Sequence, residues 1–206
     1  MIDMTLMYAT HDAFRRDLRR LTAVASGQEN GMLTARAPIQ AGWADFFRFL
    51  TVHHEAEDAV LWPTVRAKLG GRPADLRLLD AMEAEHAALD PPLAGVEAAL
   101  AGGDLKALAE HVGALATALA AHLDHEEADA LPLIHDTLTE EEWARFGNEQ
   151  RRRLGLSGGA VYFPWLLDEM PEQRESQVLS VLPSALRLVY RVLWRPRYAR
   201  RLRWTA

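Results

Sequence analysis

Two stretches of the chain carry the same spaced set of ligand-type residues. Residues 53–63, "HHEAEDAVLWP", and residues 122–132, "HLDHEEADALP", both read H-x-x-x-E-[DE]-A-x-x-x-P, and their first histidines stand 69 positions apart. On a helix, residues i and i+4 project side by side one turn apart, so an imidazole and a carboxylate at that spacing can reach one ion or two adjacent ions. Imidazole with carboxylate suits iron and also accepts zinc or manganese. The chain has no cysteine. Thiolate zinc sites, cysteine nucleophiles and disulfides are therefore excluded, and any metal must be held by histidine and carboxylate. No phosphate-binding glycine loop, G-x-S-x-G elbow or H-E-x-x-H motif is present.

Such pairs do chemistry only if helices aim them at one another. Apolar residues recur at steps of three and four over four long segments. The first runs from about Met4 to Ala25 and breaks at "SGQENG". The second starts near Pro38 and fades at "LGGRP", and the third runs from about Ala74 to "AGGD". The fourth is N-capped by Asp104 and reaches about His135. The short connections between the last three predict antiparallel neighbours. The expected fold class is all-α: an up-down-up-down antiparallel four-helix bundle with additional C-terminal helices packed on it.

Tracing the inward stripe of each segment tests where the histidines point. Phe46 and Leu50 lead onto His53, Glu57 and Val60; Leu115 and Leu119 lead onto His122 and Glu126. His86 is the one polar member of the stripe Leu79, Met82, Leu89, Leu93, Val96, Leu100, and His11 lies between Met7 and Phe14. One histidine on an apolar stripe is ordinarily a hydrogen-bonded core residue. Four at one level, with two carboxylates, are harder to account for that way: each buried charge costs several kcal/mol unless it is paired or metal-bound. In a bundle where the second and fourth helices run the same way, the matching distances to Pro63 and Pro132 put both pairs at about one height.

Other residues near the stripe have different expected roles. His54 and His125 flank it and are read first as residues of a supporting shell or the rim, with metal ligation as the second choice for both and for Asp90. Glu55, Asp58 and Asp124 are expected to be solvated charges. Tyr8, about one turn before His11, is a candidate neighbour of an open metal position, with bundle packing as the plain alternative. His111 and His135 fall off the stripe.

The chain has 206 residues, 49% hydrophobic and 25% charged, which is the composition of an ordinary globular protein. It is read as a bundle over residues 1–137 and a helical extension over 138–206. Within the extension, Thr139 and Glu142 form a capping-box pattern, and "GLSGGAVYFPWLLDEMPEQ" reads as a loop with an apolar plug. Residues 187–203 hold seven of the 23 basic residues and no acid, so the rest of the chain carries about −13 against an overall −6. A body that acidic argues against nucleic acid. The basic tail, in which Arg187, Arg191, Arg195 and Arg197 alternate with Tyr190, Trp194 and Tyr198, is the one candidate membrane contact, but packing across the acidic bundle is preferred. With no signal-peptide pattern and no apolar run long enough to span a bilayer, a cytoplasmic location is expected.

The ordered set "THDAFRRDL", "HHEAEDAVLWP", "EAEHAALDP" and "HLDHEEADALP" resembles the hemerythrin-like, or HHE cation-binding, proteins over about residues 5–136. With "PWLLD" and the "WRPRY" tail, the whole chain resembles an actinobacterial-type branch of that family. The resemblance implies a non-haem di-iron centre, two iron ions bridged by oxo or hydroxo. Its ligands would be His11, His53, Glu57, His86, His122 and Glu126, with the glutamates bridging. Glu127 is an alternative to Glu126, because carboxylates at i+5 also bridge in the family. Oxygen carriers of the family use two histidines spaced i and i+4 on the third helix, five in all. Here Met82 and Asp90 occupy the positions four before and four after His86, which counts against reversible oxygen carriage.

The implied partner is dioxygen or another diatomic or peroxide ligand, with binding, sensing or reaction as the function. The alternatives are a di-iron oxidase or oxygenase acting on a small organic substrate, and a metal-binding storage or structural module.

Overall fold

A computed structural model describes residues 2–26, 36–155 and 157–204. The expected first break, "SGQENG", lies outside them from residue 27 onward. The bundle is built from four rods. The first is α1 (Thr5–Ser26). The second joins α2 (Arg36–Ala56) to α3 (Trp62–Arg66), and α4 (Pro73–Gly102) is the third. The fourth joins α5 (Leu105–His125) to α6 (Leu131–Thr137). Each rod packs on two others, in the cyclic order α1, α2, α4, α5. The ends follow local chemistry: Gly103 takes the left-handed conformation (φ 73°) that closes α4, and the Asp104 carboxylate accepts a hydrogen bond from the Ala107 amide to open α5.

The second and fourth rods share a one-turn defect. At Glu57–Leu61 and again at Glu126–Ala130 the helix widens to a π turn, in which the amides of Trp62 and Leu131 bond five residues back to Glu57 and Glu126. In each case proline is the next residue. Proline lacks an N–H, and its ring clashes with the carbonyl four residues earlier; inserting one extra residue into the turn relieves both problems. The same device recurs in the tail, where Tyr190–Trp194 is a π turn and Pro196 follows Arg195. The device therefore needs no ligand residues, and proline does not always produce it: Pro91 and Pro92 in α4 sit inside a continuous α-helix.

The extra residue shifts the stripe. Val60, expected to face inward, is half-buried, and Leu61 takes the core position at 1% exposure.

The buried apolar residues form two clusters. One contains Phe14, Leu18, Phe46, Leu50, Leu89, Leu93, Leu115 and Leu119; the other contains Met7, Ala56, Leu61, Trp62, Leu79, Met82, Leu131 and Ile134. His11, His53, His86 and His122 each fall in sequence between a member of one cluster and a member of the other. They form the polar layer that divides the core. Each fully buried leucine contributes roughly 2 kcal/mol, so the two apolar halves can support a layer that is costly by itself.

The C-terminal residues fold onto the bundle as α7 (Glu140–Leu154), α8 (Gly159–Leu166), α9 (Glu172–Ser180), α10 (Ser184–Val189) and α11 (Arg195–Ala199). The Thr139–Glu142 capping box forms as expected. The expected loop with an apolar plug is instead largely helical: Trp165 in α8 is fully buried among Phe14, Phe49 and Tyr162. The apolar plug is present, and burial of its aromatic face outweighs the low helix propensity of the glycine that begins α8.

A buried carboxylate locks α8 to α1. Asp17 accepts from Trp165 Nε1 (2.7 Å), Arg16 Nε (2.8 Å) and Arg20 Nη1 (3.1 Å), while Arg16 Nη1 donates to the carbonyls of Trp165 and Asp168. The tail packs back on the bundle through Trp194 stacked on Phe163, Arg203 paired with Asp45 at 2.6 Å, and Trp204 seated on Gly42. Any side chain at position 42 would collide with that indole. No helix among the described residues is long and apolar enough to cross a membrane.

Candidate metal centre

The polar layer brings ligand atoms from all four rods within a few ångströms. His11 Nε2 lies 3.2 Å from His53 Nε2 and 3.3 Å from Glu126 Oε2. His53 Nε2 lies 3.1 Å from Glu57 Oε1, His86 Nε2 lies 3.5 Å from Glu57 Oε2, and His122 Nε2 lies 3.8 Å from Glu126 Oε2.

Two groups of mutually close ligand atoms result: His11, His53 and Glu126, and His54, His86 and His122. Glu57 touches His53 of the first group with one oxygen and His86 of the second with the other. Glu126 reaches His11 and His122. Both carboxylates thus stand between the groups.

His54 is in the cluster and away from the rim. Its ring stacks on His86 with centroids 4.0 Å apart and planes 14° off parallel, and its edge meets His122 at 5.2 Å. The position looked peripheral because it lies about 100° around the helix from His53. However, α4 offers only one imidazole at this level, and the space beside it is filled by the side chain of His54.

Tyr8 is not beside the site. It is 40% exposed, and Met7 takes the inward position on that turn. Asp90 is exposed as well. His125 is a third exposed and meets Glu85 and Asp129 at the surface of the bundle. Glu126 is fully buried within the cluster, whereas Glu127 sits behind His11, bonded to its Nδ1 (2.8 Å) and to Arg15 (2.7 Å).

A supporting set of acids holds the far side of the rings. Asp58 accepts from His86 Nδ1 at 2.8 Å, and Glu85 accepts from His122 Nδ1 at 3.0 Å and from His125 Nδ1 at 2.8 Å. Asp58 had been read as a solvated charge; it is half-exposed and doubles as the partner of His86. Asp124 pairs with Arg15, and Glu55 with Arg153, both near the surface. His53 differs from the other three, because its Nδ1 meets the neutral amide of Gln150 from α7 at 3.2 Å. Neither Glu85 nor Gln150 was singled out by the helix pattern. Glu85 is adjacent to His86 in sequence, but Gln150 comes from the extension and only tertiary packing brings it here.

Full burial sets the acids and imidazoles of the layer against one another. Burial opposes a charge on His11, but Glu126 and Glu127 outweigh it and hold the imidazole pKa up at about 9. Burial and the neighbouring His11 push His53 well down, and burial with His86 does the same to His54. Burial, reinforced by the charge of Glu126, drives the Glu57 carboxyl well up; Glu126 itself is held down at about 2, because His11 and the other imidazoles outweigh its burial.

The donor set fits metal ions. Among the described residues, eleven buried side-chain nitrogen or oxygen atoms have no hydrogen-bond partner. Seven belong to this cluster: Nε2 of His54, His86 and His122, and all four carboxylate oxygens of Glu57 and Glu126. Buried polar atoms are nearly always satisfied. Adjacent ligands about 2.1 Å from one ion stand roughly 3 Å apart, which matches the spacing of the His11, His53 and Glu57 atoms.

The model of the hemerythrin HHE cation-binding domain matches residues 3–134. The chain belongs to the hemerythrin family. That match spans the four rods and stops before α7, so Gln150 reaches this hemerythrin cluster from outside the matched region. No curated protein and no solved structure gives a significant match.

Proposed function

We propose that this hemerythrin-type cluster holds two iron ions, and that the protein binds, senses or reacts with dioxygen, or with a related diatomic or peroxide ligand, at them. The observation that carries this reading is the convergence of partnerless buried ligand atoms from four helices, divided into two groups that share two carboxylates. The proposed ligands are His11 and His53 in one group, His54, His86 and His122 in the other, with Glu57 and Glu126 between them. Iron held there would supply electron transfer and an open coordination position, neither of which a side chain of this chain provides.

The chain's own contribution is binding, orientation and exclusion of water. Glu127, Asp58 and Glu85 accept the Nδ1 protons of His11, His86 and His122, which leaves each Nε2 free as a ligand and fixes the ring plane. Phe14, Phe46, Leu50 and Trp62 close the layer from either side. The two carboxylates offset part of the cations' charge in that dry setting.

His54 restores a fifth imidazole, which α4 lacks. The objection to reversible binding rested on its absence, so binding or sensing is favoured over turnover. The test is to mix the anaerobic ferrous protein with oxygen and follow the visible spectrum. A band that persists and bleaches on deoxygenation supports carriage or sensing; stoichiometric zinc without iron after growth in iron-replete medium would overturn every redox reading.

A second reading, an oxidase acting on a small organic molecule, draws support from an apolar cavity that reaches the ring of His53.

A further inference from the structure

A cavity of about 250 Å³ lies between α1 and α7 and is lined by Leu6, Met7, Trp143, Phe146 and Gly147, with Val181 at its edge. Its walls are mainly apolar, and the described residues that line it include no lysine or arginine. Thr10, His53 and Gln150 lie on it, with Asp3 as the acidic residue among them. The Thr10 hydroxyl is committed, since it meets both the Leu6 carbonyl (2.7 Å) and the Tyr162 hydroxyl (2.6 Å). The Trp143 indole donates to the Asp3 carbonyl. Gln150 keeps capacity to spare, because His53 takes only one end of its amide, and of the polar groups on the wall with such capacity it is the one that also touches a ring of the cluster.

We infer that this cavity binds a small uncharged molecule with an aromatic or branched aliphatic body and one hydrogen-bonding group. The occupant meets Gln150 and acts on the metal centre through that residue, without becoming a ligand. The volume suits such a body: a dry apolar cavity of roughly 150 Å³ holds a benzene ring. The described lining offers an acid, Asp3, and no lysine or arginine, which disfavours a carboxylate or phosphate, whose charge would be desolvated without compensation.

The route to the metal follows from the tautomer and rests on the two-iron reading. Ligation through Nε2 leaves the His53 proton on Nδ1, so the Gln150 amide must turn its oxygen to that proton and its NH2 towards the cavity. A hydroxyl or carbonyl on the occupant would accept from that NH2. Gln150 is a positioning residue for His53, and α7, which supplies it, ties the extension to the site.

The test uses the purified full chain and benzyl alcohol, with benzoate as the charged counterpart, in calorimetry and ligand-observed NMR. Gly147 is on the cavity wall, and a Cβ there meets no atom within 4 Å, so Gly147→Leu adds bulk at the wall without a backbone clash. Expected are saturable binding of one benzyl alcohol per chain, benzoate weaker by about tenfold or more, and loss of binding in Gly147→Leu at unchanged metal content and a melting temperature no lower than that of the wild type. In the iron-loaded protein, benzyl alcohol should shift the visible spectrum of the wild type and leave that of Gln150→Leu unmoved. The inference is overturned if benzyl alcohol does not bind saturably, if benzoate binds equally well, if Gly147→Leu binds as the wild type does, or if the spectrum does not respond. Metal content is measured separately, so failure of this inference is distinguishable from failure of the two-iron reading.

Discussion

The ring of His54 lies flat on the ring of His86, with centroids 4.0 Å apart and planes 14° off parallel, and Nε2 of both is buried without a hydrogen bond. α4 has a single histidine at this level, and the residue after His53 on α2 supplies the other imidazole. His54→Ala should therefore empty the group it shares with His86 and His122 and leave the group of His11, His53 and Glu126 filled. Elemental analysis should show a fall from about two metals per chain to about one, whereas His125→Ala should change nothing.

Asp58 and Glu55 stand three residues apart on one rod, yet only Asp58 touches a cluster ring. Asp58→Asn should weaken metal binding by about 10- to 100-fold in a chelator competition, through loss of the charged acceptor for His86 Nδ1. Glu55→Gln, which removes a surface ion pair with Arg153, should leave the affinity unaltered.

The pattern of threes and fours located six of the cluster residues, because a bundle core has to follow that period. His54 was beyond its reach: whether a side chain 100° off the stripe turns inward depends on what the facing helix leaves empty, and that is a property of α4. The misplacement of Val60 has a nearer cause. An ideal period carries no extra residue, yet Pro63 and Pro132 were visible and each closes a π turn. Asp58 reads as a solvated charge because it lies off the inward stripe, yet its carboxylate reaches the Nδ1 of His86, as that of Glu85 reaches the Nδ1 of His122.

The buried Asp17 carboxylate joins α1 to α8. Asp17→Ala would strand the Arg16 guanidinium and leave the Trp165 indole N–H unbonded. Chemical denaturation should show a loss of about 3–5 kcal/mol, with metal stoichiometry kept in the folded fraction.

The cap of α7 gives a pH dependence with a definite sign. Lys68 first, and then the Thr139 amide, hold the Glu142 carboxyl down at about 2 against an ordinary 4.5. The folded chain takes this proton at lower pH than the unfolded one, so the cap's contribution is complete above 4.5 and is lost as pH falls towards 2. Glu142→Gln should therefore be less stable than wild type at about pH 6 and indistinguishable from it near about pH 2. Thr139→Ala should cost about 1 kcal/mol at neutral pH by thermal unfolding.

The central claim is a two-ion centre with His54 among its ligands, and anomalous diffraction from crystals of the iron-loaded protein tests it most directly. The account predicts two anomalous peaks inside the bundle, with Glu57 and Glu126 each reaching both and Nε2 of His54 bonded to the one it shares with His86 and His122. A single peak, or two peaks with the His54 ring turned away from both, would contradict it.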